Sequence, residues 1–174
     1  MISYEVLEIG DWMRHYVDKD LNEFLEENIE AVIELLKKAY VSTKKYYKNK
    51  VQDDFLYMNT YVTFNHGYCF YFARMLKSIY KNAKFVVVDK NYAHISHVYL
   101  YINGYMYDVN GKSKLNDFFV LTSNELKEIN INHNKVNEEV YEMFKSYFYL
   151  YLKKYVEYND FCIFKKIAKN KWWF

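Results

Sequence analysis

Not one proline occurs in the 174 residues of this chain, and only four glycines and two cysteines do. Without proline, a Gly/Ser-rich run or a block of like charge, no stretch reads as a linker. The length suits one hydrophobic core, so residues 1–174 are expected to form a single domain. Cys69 and Cys162 stand too far apart in the chain to outline a disulfide framework. No window approaches the roughly 18 uninterrupted apolar residues that mark a membrane-spanning helix. The first residues, MISYEVLEIGDWMRH, lack the charged start and apolar run of a signal peptide. A formal net charge of +2 is also too mild for the strongly basic face that nucleic acid selects. These absences predict a soluble cytoplasmic protein with no nucleic-acid and no membrane partner.

Aromatic side chains are what the chain has in plenty: 21% of its residues, with 21 tyrosines and 13 phenylalanines. Tyrosine suits both core and surface, because it buries a ring and keeps a polar tip. Asp20-Leu21-Asn22-Glu23 has the side chains of a capping box, and Leu21, Phe24, Leu25, Val32, Leu35, Leu36 and Ala39 follow near helical spacing. A helix to about Tyr40 is expected, after a short irregular or helical lead-in over 1–19. Residues 41–50, VSTKKYYKNK, read as a solvated helix end or loop, and 51–64 fit a short strand or a short helix. Toward the other end a long helix is predicted over about 137–158, with Val140, Phe144, Tyr147, Phe148, Tyr151 and Tyr155 along its stripe. Cys162 falls in a last strand or short helix, and Trp172-Trp173-Phe174 is expected to fold back onto the body.

The chemistry lies between Asn65 and Gly111, which hold three of the four glycines. Cys69, Phe72, Ala73, Leu76 and Ile79 or Tyr80 share one helical face, so Gly67 and Tyr68 lead into a helix that begins at Cys69. A cysteine in a first turn points its sulfur at free backbone N–H groups and the positive end of the helix dipole, which favours the thiolate. Lys84–Asp89 is a β-branched strand, and Asn103-Gly104 between two alternating runs marks a hairpin over 96–109. Counting outward from a two-residue turn pairs 102 with 105, 101 with 106 and 100 with 107. Val98, Leu100, Ile102, Tyr105, Tyr107 and Val109 then form the core face. His97, Tyr99, Tyr101, Met106, Asp108 and Asn110 share the other, so His97 and Asp108 are diagonal neighbours with backbones about 7–8 Å apart.

A thiol needs a base, and the base needs a group to orient it. Cys69, His97 and Asp108 supply these roles in chain order. The order Gly-x-Cys-helix, strand, His-strand, turn, Asp-strand resembles the transglutaminase-like and wider papain-like cysteine enzymes. Phe70 keeps the aromatic that often follows their cysteine. Tyr99 stands where many have tryptophan, and Val109 follows Asp108 where proline is common. The resemblance implies an α+β fold, with helices packed on a small antiparallel sheet in a papain-like/transglutaminase-like core. It also implies a protein or peptide amide as substrate and no cofactor, and the strand placement of His97 argues against a metal. Asn65, and less closely Gln52, stand upstream of the cysteine, where such enzymes carry a side-chain oxyanion donor. His94 is the reserve base, while His15 and His133 read as surface residues. Two other readings use the same stretch: a non-catalytic binding module of this fold, or a zinc site of His66, Cys69, His94 and His97.

Overall fold

The computed structural model describes residues 24–65, 67–89, 97–132 and 135–171, with backbone alone over 129–132 and 160–171. The expectations for residues 1–19, for the cap at Asp20 and for Trp172-Trp173-Phe174 lie outside these residues.

Helix α1 spans Ile29–Tyr47 and buries Ile29, Val32, Ile33, Leu36, Ala39, Tyr40, Thr43 and Tyr47 along one stripe. It passes the expected end at Tyr40 because Thr43 and Tyr47 continue the buried spacing, and Thr43 returns its hydroxyl to the Ala39 carbonyl at 2.9 Å. The stop comes at Asn49, whose φ of 65° turns the chain left-handed. VSTKKYYKNK is therefore mostly the last two turns of the helix. Residues 51–64 form two short helices, α2 (Asp54–Tyr57) and α3 (Thr60–Asn65). Asp53 starts the first by accepting from Phe55 N, and Asn59 accepts from Val62 N near the start of the second.

Helix α4, Cys69–Ile79, is buried nearly all round, from Cys69, Phe70, Tyr71, Phe72 and Ala73 to Met75, Leu76 and Ile79. That pattern marks a helix enclosed on several sides. One side meets the sheet, where Cys69, Phe70 and Ala73 pack with Val87, Val98 and Leu121. The other meets the main core, where Phe72, Met75 and Leu76 join α1 and the aromatic cluster.

The sheet is antiparallel in the order β4-β3-β2-β1-β5, built from β1 (Lys84–Val87), β2 (Tyr99–Ile102), β3 (Tyr105–Asp108), β4 (Gly111–Ser113) and β5 (Phe119–Val120). Its central register pairs Leu100 with Tyr107, Tyr101 with Met106 and Ile102 with Tyr105, as the turn count predicts. Asn103 (φ 48°) and Gly104 (φ 87°) both take positive φ, which a primed two-residue hairpin turn requires. The second face is covered as well as the first: Val86 and Met106 are buried, and the Phe118 ring lies 4.8 Å from that of Tyr101.

Helix α5 (Ser123–Asn132) follows the sheet, and helix α6 runs over Glu138–Lys171. Cys162 thus sits in a continuing helix rather than in a last strand or a separate short helix. The buried line of α6 is Val140, Phe144, Phe148, Leu152 and Val156. Tyr147, Tyr151 and Tyr155 flank it, and the hydroxyls of the latter two bond Ser42 and Asn28 on or next to α1. Against this line, the rings of Tyr40, Phe55, Phe64 and Phe144 meet at centroid distances of 5.0–6.2 Å, mostly edge to face. The Tyr40 hydroxyl lies 2.6 Å from the Phe55 carbonyl and 2.7 Å from Thr63 Oγ1, so it ties α2 and α3 to α1. This anchors the segment that leads into Cys69.

Candidate active site

Gly67 takes a φ of 95°, and the turn it makes delivers Tyr68 as the cap of α4 and Cys69 as its first residue. The Cys69 sulfur accepts a hydrogen bond from Val98 N at 3.4 Å, which seats the thiol against the residue after His97. His97 and Val98 precede the first residue of β2. Ahead of the strand the ladder does not dictate the side-chain direction, so the imidazole meets both the helix start and the neighbouring strand.

His97 Nε2 donates to Asp108 Oδ2 at 2.9 Å. Cys69 also acts on the charge of this ring, whose Nε2 is already taken by Asp108. Tyr99 sets its ring edge-on to the imidazole at 4.5 Å. Burial pulls the His97 pKa down, but the hydrogen bonds to Asp108 and Cys69 and their negative charge outweigh it and carry the value up to about 9. Asp108 and Cys69 both favour the charged form of the ring.

Asp108 is 7% exposed and has no cation for a partner besides His97 among the described residues. Both of its oxygens are used: Asn110 N donates to Oδ1 at 2.7 Å, and Asn110 Nδ2 donates to Oδ2 at 3.0 Å. Cys69 is 2% exposed, so the thiol lies beneath the surface.

Cys69, His97 and Asp108 converge as expected. Asn65 does not stand over the thiol; its amide is engaged with Asn110, on the Asp108 side of the site. Gln52 lines a surface cleft with Asp53, Asp54 and Tyr68 that excludes Cys69 and His97. The backbone N–H of Cys69 lies in a first helical turn, where the helix offers it no acceptor. Asn110 is the residue that sequence reasoning passed over, although hairpin parity already put it on the face of His97 and Asp108.

His15, His66, His94 and His133 lie outside the described residues, and with them the reserve base and half of the zinc alternative. Among the described residues no group of three or more His, Cys, Asp or Glu side chains is arranged to hold a metal ion. No described helix is long and apolar enough to cross a membrane.

A family model, the Phage YunG-like protein, matches residues 49–157, which run from just before α2 into α6 and include Cys69, His97 and Asp108. No curated protein and no solved structure matches the chain.

Proposed function

This chain belongs to the Phage YunG-like protein family, and we propose that it performs thiol-dependent acyl chemistry on an amide, as a cysteine peptidase, an amidase or deamidase, or a transglutaminase. The observation that carries the reading is the seating of the Cys69 sulfur on Val98 N, next to a His97 whose ring is bonded to Asp108. The likeness to transglutaminase-like and papain-like enzymes belongs to the same proposal, as do a protein or peptide amide substrate and a cytoplasmic location.

Cys69 reacts as a thiolate paired with the His97 imidazolium, which Asp108 stabilises through Nε2. The thiolate adds to the amide carbonyl carbon, and the resulting oxyanion takes a hydrogen bond from the N–H of Cys69. The C–N bond then breaks as the imidazolium protonates the leaving amine. This yields a thioester and neutral His97. Water or a second amine loses a proton to His97 as it attacks the thioester, and the acid or new amide leaves as the thiolate returns. The outcomes differ only in substrate and in which nucleophile resolves the thioester.

The burial of Cys69 favours one competing reading, a non-catalytic binding module of the same fold. Alkylation by iodoacetamide across a pH series, followed by peptide mapping, separates the two. An activated Cys69 reacts well below neutral pH while Cys162 reacts slowly and only toward alkaline pH. A Cys69 that reacts only when the protein unfolds removes the enzyme reading. Profiling with glutamine peptides and generic amide libraries then identifies the substrate.

A further inference from the structure

A carboxylate that orients a histidine must itself be held, since an aspartate side chain turns about two bonds. Asn110 occupies both oxygens of Asp108, one through its backbone N–H and one through its side-chain amide. What is left at Oδ2 is the direction of His97 Nε2. The amide of Asn110 is fixed in turn by Asn65: Asn110 Nδ2 donates to Asn65 Oδ1 at 2.9 Å, and Asn65 Nδ2 donates back to Asn110 Oδ1 at 3.3 Å. The two Nδ2 protons of Asn110 are thereby divided between Asp108 and Asn65, and its carbonyl oxygen is filled.

We propose that Asn110 and Asn65 form a clamp of positioning residues that aims Asp108 at His97 and so belongs to the machinery of the Cys69 site. The proposal rests on the acyl-transfer reading above. The clamp joins the two limbs of the site. Asn65 ends α3 two residues before the Gly67 turn that delivers the nucleophile, and Asn110 lies in the β3–β4 turn that carries the acid. Both are neutral amides, so they orient the carboxylate without setting a cation against the imidazolium. A lysine or arginine in their place would compete with His97 for Asp108. The titratable groups that face His97 among the described residues are Cys69 from α4, Asp108 from β3 and Tyr99 from β2.

The test uses the full chain and needs no substrate. The His97 ring is titrated by NMR, and the Cys69 alkylation rate is measured at mildly acid pH, in the wild type, Asn110→Ala, Asn65→Ala and the double variant. The wild-type ring is expected to titrate near 9. Asn110→Ala keeps the backbone donor to Asp108 but lowers that titration by about one pH unit, and slows alkylation about tenfold. Asn65→Ala moves both readouts the same way and less far, and it carries the test alone if Asn110→Ala does not fold. The double variant is no worse than Asn110→Ala, because the two amides act as one unit. An unmoved His97 titration in both single variants, with the wild type near 9, overturns the clamp and leaves the acyl-transfer reading standing. A wild-type ring that titrates at the ordinary histidine value, beside an unreactive Cys69, overturns that reading and the clamp with it.

Discussion

His97 and Asp108 meet at 2.9 Å as a diagonal pair, with Asp108 at the end of β3 and His97 two residues before β2 begins. The contact depends on the two-residue count of the Asn103-Gly104 turn. A slip of one residue would turn Asp108 to the opposite face of the sheet.

That pairing is worth stability, and its pH window follows from the histidine. The folded pKa of about 9 lies above the ordinary histidine value of 6.5. The contribution is thus fully present below about pH 6.5 and is lost as pH rises through about 9. Asp108→Asn is expected to lower stability by about 1–3 kcal/mol near pH 6, because each pH unit that separates the folded and unfolded values is worth roughly 1.4 kcal/mol. The gap from wild type should close toward pH 10. Denaturant unfolding across this range checks it, and a gap that widens with pH would contradict the assignment.

On an identified substrate, Asp108→Asn should cut turnover by orders of magnitude, far more than its stability loss explains, because an amide stabilises the wrong imidazole tautomer. Tyr99→Phe, which keeps the ring edge-on to His97, should leave kcat within a few-fold. Loss of activity in simple proportion to the unfolded fraction would mark Asp108 as structural.

Gly67→Ala asks a side chain to accept a φ of 95°. A cost of about 1–3 kcal/mol is expected from the backbone strain. If the turn relaxes instead, Cys69 shifts against Val98 N, and alkylation of Cys69 changes while that of Cys162 does not. Thermal unfolding together with peptide mapping separates these effects.

Phe144 is fully buried among Tyr40, Phe55 and Phe64. Phe144→Ala should cost about 3–5 kcal/mol, read as a drop in the unfolding midpoint. In the fraction that stays folded, the pH dependence of Cys69 alkylation should match the wild type. A changed pH profile would show that the aromatic core tunes the site rather than only supporting it.

Nε2 of His97 is already engaged by Asp108. Zinc binding through that nitrogen would have to break this bond. Protein purified without chelator is expected to carry no stoichiometric zinc through dialysis, as read by elemental analysis. Retained zinc that is lost in the His97→Ala variant would replace the acyl-transfer reading with a metal site.

Short-range patterns were enough for the hairpin, the helix that starts at Cys69 and the chain order of Cys69, His97 and Asp108. Each rests on local rules: positive φ at Asn103-Gly104, apolar spacing after Cys69, and alternation along β2 and β3. The sequence alone therefore determined an α+β chain with a thiol at a helix start and a histidine diagonal to an aspartate. Tertiary structure decided how far the helices run, because burial of Thr43 and Tyr47 on α1 and the i, i+4 line from Val140 to Val156 on α6 depends on the two helices packing together. It also decided that both sheet faces are covered, that Cys69 is buried against Val98, and that the Asn65 amide bonds Asn110, which in turn bonds Asp108. These last contacts join residues far apart in the chain. Their geometry is set by where α3, α4 and the β3–β4 turn come to rest on one another, which no local spacing encodes.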